Sequence, residues 1–335
     1  MASESERMTS SNPPRRRRYA RFLWLPLLLV LLCIAYTLAW MHFAGVIRQR
    51  VEATLAALRE TGATADCADH EVHGFPLRFI LQCKSIRYVD PASASVFSAA
   101  SMLAFATIYD PRRIHIRLAA PALVQAPNTG PIVVHWKRMQ GELFPPLGHD
   151  ASVEVRGKML VAERTQAEPI FTVTSMCGRA SMAGADVDLR SHFEGLDFGP
   201  SLPDLEALPP LSGDADVTVA GGAGLALHDV RSFRGRSAQI QKLMLAPSDD
   251  ASVTVKGRAS VDEEGRLDAD LTVRLSNPQE LAAALKLAFP EEAKDIDRGL
   301  ALVSALGNDP MVPVTIREGR VTVGFFPVGR VPALP

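Results

Sequence analysis

The feature that most constrains this chain is a run of twenty residues without a charged side chain, Phe22–Met41. As an α-helix rising 1.5 Å per residue, the run is about 30 Å long, which is the thickness of the hydrocarbon core of a bilayer. Trp24 and Trp40 lie near its two ends, where aromatic side chains concentrate at membrane interfaces. The run therefore predicts a transmembrane helix over residues 22–42.

A block of basic residues directly before the run predicts its orientation. Positive residues stay on the cytoplasmic side of a membrane, so residues 1–21 are predicted to be a cytoplasmic basic tail. The chain after Arg48 is then expected in the periplasm, with the single span in the inner membrane of a bacterium. The block consists of Arg15, Arg16, Arg17, Arg18 and Arg21.

Other interpretations of the run stay open but are less favoured. A cleaved signal peptide has a shorter apolar core and small residues at its cleavage site, and only Thr37–Ala39 offers such a site. A buried core helix is less favoured still, because the run is apolar all round and is preceded by five arginines. A net charge of −1 argues against a general nucleic-acid binder, so no nucleic-acid partner is expected.

Residues 43–62 are predicted to extend the span as a short helical stem. Val51, Leu55 and Leu58 recur at helical spacing among charged residues, which gives the stem one apolar face. Gly62 is a typical residue to end a helix. Packing of this face against the chain's own domain is favoured over pairing with a partner helix.

Four cysteines suit an oxidising compartment. Cys67 and Cys83 flank a short segment with turn residues, and two strands meeting there would bring the thiols within disulfide range. A disulfide is expected, although two reduced buried cysteines would give the same sequence. Cys33 is expected to be inert in the membrane, and Cys177 to be a small core residue.

Alternation of apolar and polar residues dominates from about residue 66 and predicts a mainly β fold of extended antiparallel sheets, either a curved, repeat-like sheet or a sandwich. The stretch Asp150–Lys158 is echoed by Asp250–Arg258 and, more loosely, by Asp214–Gly221, which favours reuse of one strand pattern. Two hairpins are predicted, over 253–275 and 312–324, around turns that contain glycine.

One helix interrupts the strands. Asn277 and Pro278 are typical first residues of a helix, which is predicted over 278–305 and broken by Pro290. The proline-rich stretch Phe198–Leu211 is predicted to link two β-rich halves, 63–200 and 201–335.

No catalytic constellation is visible, so the chain is not predicted to be an enzyme and no cofactor or metal is expected. His70 and His73, with the acidic residues around them, form the only dense group of candidate metal ligands. They lack a second pair at zinc spacing, and a solvated turn explains them equally well. An envelope hydrolase would need a nucleophile and a base near this group.

Several segments resemble the DUF2125 family of alphaproteobacteria: the arginine-led anchor, Val72–Phe79 between the two cysteines, and the C-terminal stretch Ile316–Pro332. The layout is similar to AsmA-like proteins, which implies an inner-membrane anchor and a β-rich periplasmic body involved with envelope lipids. Within Val72–Phe79, Gly74 permits a tight turn, Pro76 fixes φ, and Phe75 is presented as an apolar anchor. A turn that fills its own core is favoured over a loop that contacts a ligand.

The expected function is non-enzymatic binding of a lipid or another hydrophobic ligand, in the service of envelope lipid homeostasis. If the sheet curves into an open groove, its apolar face would suit acyl chains, whereas a closed sandwich would bury that face in its core. The alternative is a structural or assembly partner in a cell-envelope complex, with a filled core and an exposed edge strand. The expected partners are the bilayer and either a lipid ligand or envelope proteins.

Overall fold

A computed structural model of the chain describes most of its residues. The described ranges are 18–60, 62–91, 94–126, 130–145, 151–164, 168–222, 234–304, 307 and 309–334. Arg15, Arg16 and Arg17 of the basic block lie outside them.

The whole apolar run and the predicted stem form one continuous helix, α1 (Arg18–Glu60). From Trp24 onward it is long and apolar enough to cross a membrane. The helix ends where the sequence predicts, because Gly62 adopts a φ of +85° and its N–H donates to the carbonyl of Arg59 at 3.0 Å.

Within the described ranges, seventeen strands follow α1 and make a mainly β fold. Their bounds are β1 (Thr64–Ala68), β2 (Glu71–His73), β3 (Arg78–Cys83), β4 (Ser85–Asp90), β5 (Ser95–Thr107), β6 (Ile114–Gln125), β7 (Ile132–Phe144), β8 (Ser152–Arg164), β9 (Pro169–Ala183), β10 (Asp186–Phe198), β11 (Leu211–Val219), β12 (Arg236–Ala246), β13 (Ser252–Val261), β14 (Leu267–Ser276), β15 (Met311–Arg317), β16 (Arg320–Val323) and β17 (Phe326–Arg330).

All the strands belong to one antiparallel sheet. From β5 to β17 each strand pairs with the next along the chain, so this part is a continuous meander. On its other side, β5 pairs with both β3 and β4, which lie end to end. Strand β2 then pairs with β3, and β1 pairs with β4. The prediction of an extended antiparallel sheet is confirmed, as are both hairpins.

The proline-rich stretch 198–211 contains a short helix, α2 (Pro203–Glu206). It joins β10 to β11, which pair directly, with Leu196 opposite Leu211. The sheet therefore continues across the predicted linker, and the division into two β-rich halves stays a prediction.

The helix predicted over 278–305 is two helices, α3 (Pro278–Ala288) and α4 (Ala293–Ser304), and Pro290 lies between them. Asn277 is the residue before α3, but its side chain does not cap the backbone there. Its amide nitrogen instead donates to a carboxylate oxygen of Glu280 at 2.7 Å.

Candidate hydrophobic binding surface

Cross-strand pairing places one uninterrupted row of apolar residues on one face of the sheet. Directly paired residues in an antiparallel sheet lie on the same face, so the pairing defines the row. It crosses nine strands, β6 to β14, without a charged or hydrogen-bonding side chain. The row is Leu118, Met139, Gly157, Met176, Phe193, Gly213, Leu245, Val253 and Leu275.

A second row runs parallel to the first on the same face, which we call the apolar face. It crosses eleven strands, β6 to β16, and is again apolar throughout. Its residues are Ile114, Leu143, Val153, Ala180, Leu189, Val217, Ile240, Gly257, Leu271, Val314 and Val323. With strands about 4.8 Å apart, the shorter row follows the sheet for roughly 38 Å.

The middle of the apolar face remains accessible. Large side chains on it keep more than a third of their surface exposed, among them Val153 at 37%, Leu189 at 41% and Leu243 at 37%. In a closed sandwich such residues would be buried against a second sheet. The one polar atom of Trp136, which shares this face, is satisfied because its Nε1–H donates to the carbonyl of Leu118 at 2.9 Å.

Buried residues are accordingly few among those that the structure describes. Most of the buried apolar residues are alanines, and Cys83 is the largest side chain that is fully buried. A single face of a sheet buries its side chains fully only where something covers it. Helices cover the apolar face near β3 and over part of β11 to β14, and Val153 and Leu189 on the strands between them are exposed.

Helices α3 and α4 cover the end of the face formed by β11 to β14. Between them and the sheet lies a cavity of about 360 Å³ whose lining residues are all apolar. The first apolar row leads into this cavity, since Leu245, Val253 and Leu275 belong to both. Further cavity walls come from Leu211, Leu281, Ile296 and Leu300.

Helix α1 covers the opposite end. The Trp40 ring stacks on Phe79 of β3 with centroids 5.3 Å apart, and its Nε1–H donates to the carbonyl of Arg78 at 3.3 Å. One turn further on, Ala44 is buried at 3% exposure. Helix α1 thus packs against the chain's own sheet at this level. The predicted apolar face of the stem, Val51, Leu55 and Leu58, is half-buried.

The opposite face of the same strands, the charged face, is built differently. Its central row crosses β6 to β12 and consists of His115, Glu142, Glu154, Arg179, Arg190, Asp216 and Lys242. Opposite charges meet between neighbouring strands, with Arg179 3.4 Å from Glu154 and Arg190 3.3 Å from Asp216. These charges find partners within the chain and in solvent.

On the charged face, two neighbouring carboxylates raise the pKa of His192. His192 lies with Nδ1 2.8 Å from Asp214 and Nε2 3.2 Å from Glu194. Hydrogen bonds to these two carboxylates raise its pKa above the ordinary 6.5. Burial opposes ionisation of Asp214, but hydrogen bonds from Lys242 and His192 outweigh it and lower the pKa of that carboxyl group.

The residues singled out by sequence lie near α1, away from the middle of the sheet. Cys67 and Cys83 form a disulfide that ties β1 to the end of β3. Gly74 adopts a φ of +107°, and a Cβ there would lie 2.8 Å from the carbonyl oxygen of Arg78. Phe75 is half exposed and lies against the rings of Tyr36 and Trp40.

The histidines near the disulfide do not converge on a common site. His70 lies 3.6 Å from Glu52 of the stem. Within the described ranges no three His, Cys, Asp or Glu side chains are grouped so as to hold a metal ion. Sequence reasoning missed the two apolar rows and the contacts of Tyr36 and Trp40, because both depend on pairing between residues far apart in the chain.

A family model described as "Uncharacterized protein conserved in bacteria (DUF2125)" matches residues 40–332. The match begins at Trp40, where α1 meets the sheet, and extends through the last strand. No curated protein matches the chain.

Proposed function

The chain belongs to the DUF2125 family, and we propose that it is a non-enzymatic, membrane-anchored protein that binds a lipid or a similar hydrophobic ligand along its apolar face. The observation that carries the proposal is the first apolar row, which crosses nine strands and enters an apolar cavity at one end. A track without hydrogen-bonding groups suits an acyl chain, since it leaves no polar atom of the protein unsatisfied.

Helix α1 and the basic block before it support a location for the sheet in the cell. Helix α1 is long and apolar enough to cross a membrane, and the basic block before it favours a cytoplasmic N-terminus. We place the sheet in the periplasm of a bacterium, tethered to the inner membrane, and the proposed role is lipid handling in the cell envelope. The disulfide between Cys67 and Cys83 agrees with an oxidising compartment.

Exposure of the apolar face favours a ligand over a filled core. Each square ångström of apolar surface left in water costs about 25 cal/mol relative to burial, so an uncovered face of this size is unusual in a protein that binds nothing. Acyl chains lying on the apolar face would cover Val153 and Leu189 of the second row and Leu243 beside the first row, which the chain itself leaves open.

A second candidate function is supported by the other edge of the sheet. Strand β17 is exposed along its whole length, and Phe325 and Phe326 before and within it are 96% and 73% exposed. An exposed edge strand with apolar side chains suits pairing with an envelope protein. This assembly role requires no ligand on the apolar face.

Native mass spectrometry of the full chain, extracted from its own membrane without added lipid, distinguishes the two candidates. The test variant is Leu243→Asp on the apolar face of β12, and the matched control is Ser237→Asp on the charged face of the same strand. Lipid bound to α1 is common to both variants, so their difference reports the sheet. We expect bound phospholipid to fall several-fold in Leu243→Asp alone. Equal lipid content in both folded variants would reject the lipid-binding proposal and favour assembly.

A further inference from the structure

The sheet meets α1 inside the apolar run as well as along the stem that follows it. Tyr36 and Trp40 both belong to Phe22–Met41, and the ring of Phe75 lies against both, with centroids 6.0 Å and 5.6 Å away. The Tyr36 hydroxyl also donates to the carbonyl of Pro76. The turn that follows β2 is therefore fixed to a part of the helix that the membrane would surround.

The depth of this contact follows from helix geometry. Tyr36 precedes Met41 by five residues, which corresponds to about 7.5 Å along a helix axis. Phe75 then lies at the level of the last turn of the apolar run, where aromatic belts mark the boundary between acyl chains and headgroups. Surfaces that bind at this boundary insert about 5–10 Å.

A second loop lies at the same level. The N–H of Ile108, directly after β5, donates to the carbonyl of Leu77 at 3.2 Å, so the two loops are joined. Both present apolar side chains outward: Phe75 and Leu77 are about half exposed, Ile108 is 36% exposed and Tyr109 81% exposed. We call these four residues the interfacial patch.

Basic residues flank the interfacial patch. Arg78 follows Leu77 directly, Arg112 follows Tyr109 by three residues, and both are exposed. Arginine at the level of headgroups can donate to lipid phosphates while neighbouring apolar groups enter the acyl region. Apolar side chains with arginines beside them are what a lipid surface recognises.

We infer that the interfacial patch is inserted into the periplasmic surface of the bilayer that α1 spans, and that this fixes the first strands of the sheet at the membrane. Phe79, on the apolar face of β3, stacks on Trp40, so the apolar face begins at the level of the lipid. A lipid from the adjacent leaflet could reach that face without crossing water. The inference rests on the part of the proposed function in which α1 spans the membrane. It does not require the sheet to bind a lipid.

Fluorescence quenching of the full chain in phosphatidylethanolamine–phosphatidylglycerol vesicles tests the inference. In a background with Cys33→Ser and Cys177→Ser, a single Tyr109→Cys or Leu77→Cys substitution carries an environment-sensitive label. The matched control is Phe325→Cys, an exposed aromatic position far along the sheet. All three labels lie on one side of the membrane, so their comparison does not depend on the orientation of insertion.

We expect the labels at positions 77 and 109 to be quenched by nitroxide-bearing lipids and to be several-fold less sensitive to aqueous iodide than the label at 325. Equal iodide quenching at all three positions, in proteins whose circular dichroism matches the parent, would overturn the inference. If lipid binding to the sheet failed in the mass-spectrometric test while these labels stayed protected, only the proposed function would fall.

Discussion

The two faces of the sheet use the same strands and reach opposite outcomes. On β10, Leu189 and Arg190 are neighbours in sequence and point to opposite sides, and both are exposed. Arg190 lies 3.3 Å from Asp216 on the next strand, so its charge is partnered within the chain. Leu189 lies in a row of apolar residues whose outer surface the chain does not cover.

This difference shows which face has its side chains partnered and which face leaves apolar side chains uncovered. Exposed ion pairs and water satisfy the charged face, so nothing further is needed there. Among the described residues, α1 covers the apolar face near β3 and α3 with α4 covers part of it over β11 to β14. The open middle is where a ligand would add the most burial, which is why the proposed function is assigned to that face.

The largest expected effect is a difference in the free energy of unfolding between substitutions in the covered part and in the open part of the apolar face. Leu211 is 7% exposed in the wall of the cavity under α3 and α4, whereas Leu189 is 41% exposed. Leu211→Ala is expected to lower the free energy of unfolding by about 3 kcal/mol, and Leu189→Ala by about 1 kcal/mol. Urea unfolding followed by circular dichroism measures both. Equal losses would mean that the open part is in fact packed.

A comparable effect is expected at the end covered by α1. Replacing Cys67 and Cys83 together by serine removes a cross-link that spans 16 residues and should cost about 3 kcal/mol of stability. Cys177→Ser, on the charged face, is the control and should change urea unfolding little. A double variant as stable as the parent would show that this end is held by packing alone.

On the charged face the expected effects are smaller. Asp216→Ala removes the exposed partner of Arg190 and should cost about 0.5 kcal/mol, since solvent screens such pairs. The loss should shrink further in 1 M salt, where the Debye length is about 3 Å. A loss as large as that of Leu211→Ala, measured in the same urea titration, would contradict the contrast between the faces.

The smallest effect is a pH dependence on the charged face. The pKa of His192 is raised in the folded state, so its contribution to stability is present below pH 6.5 and is lost as the pH rises through the folded pKa. The pKa of Asp214 is lowered, so its contribution is present above pH 3.8 and is lost as the pH falls through the folded value. The urea midpoint of the parent should therefore decline slightly more between pH 6 and pH 8 than that of His192→Gln. Parallel pH profiles of the two proteins would show that His192 does not contribute to the pH dependence of stability.

Sequence patterns predict the class of this fold because a two-residue period and glycine-containing turns are local signals. The hairpins β13–β14 and β15–β16, the end of α1 at Gly62 and the break at Pro290 all follow from neighbouring residues. The placement of both β3 and β4 on one side of β5 does not, because it depends on contacts between distant segments.

The candidate site was only partly predictable for the same reason. Alternation in β12 shows that one side of the strand is apolar, but it cannot show whether anything covers that side. The Gly74–Pro76 turn stands out in the sequence, yet its contact with Tyr36 and Trp40 joins residues more than thirty positions apart. Continuity of the apolar rows appears only once the register of eleven strands is known.

Photo-crosslinking in living cells tests the central claim most directly. A benzoylphenylalanine residue replaces either Leu189 or Arg190 in the full chain, and lipid adducts are identified by mass spectrometry after irradiation. The two positions share one strand and differ only in the face that they occupy. The account predicts a phospholipid adduct at position 189 and none at 190. No adduct at either position, or equal adducts at both, would contradict it.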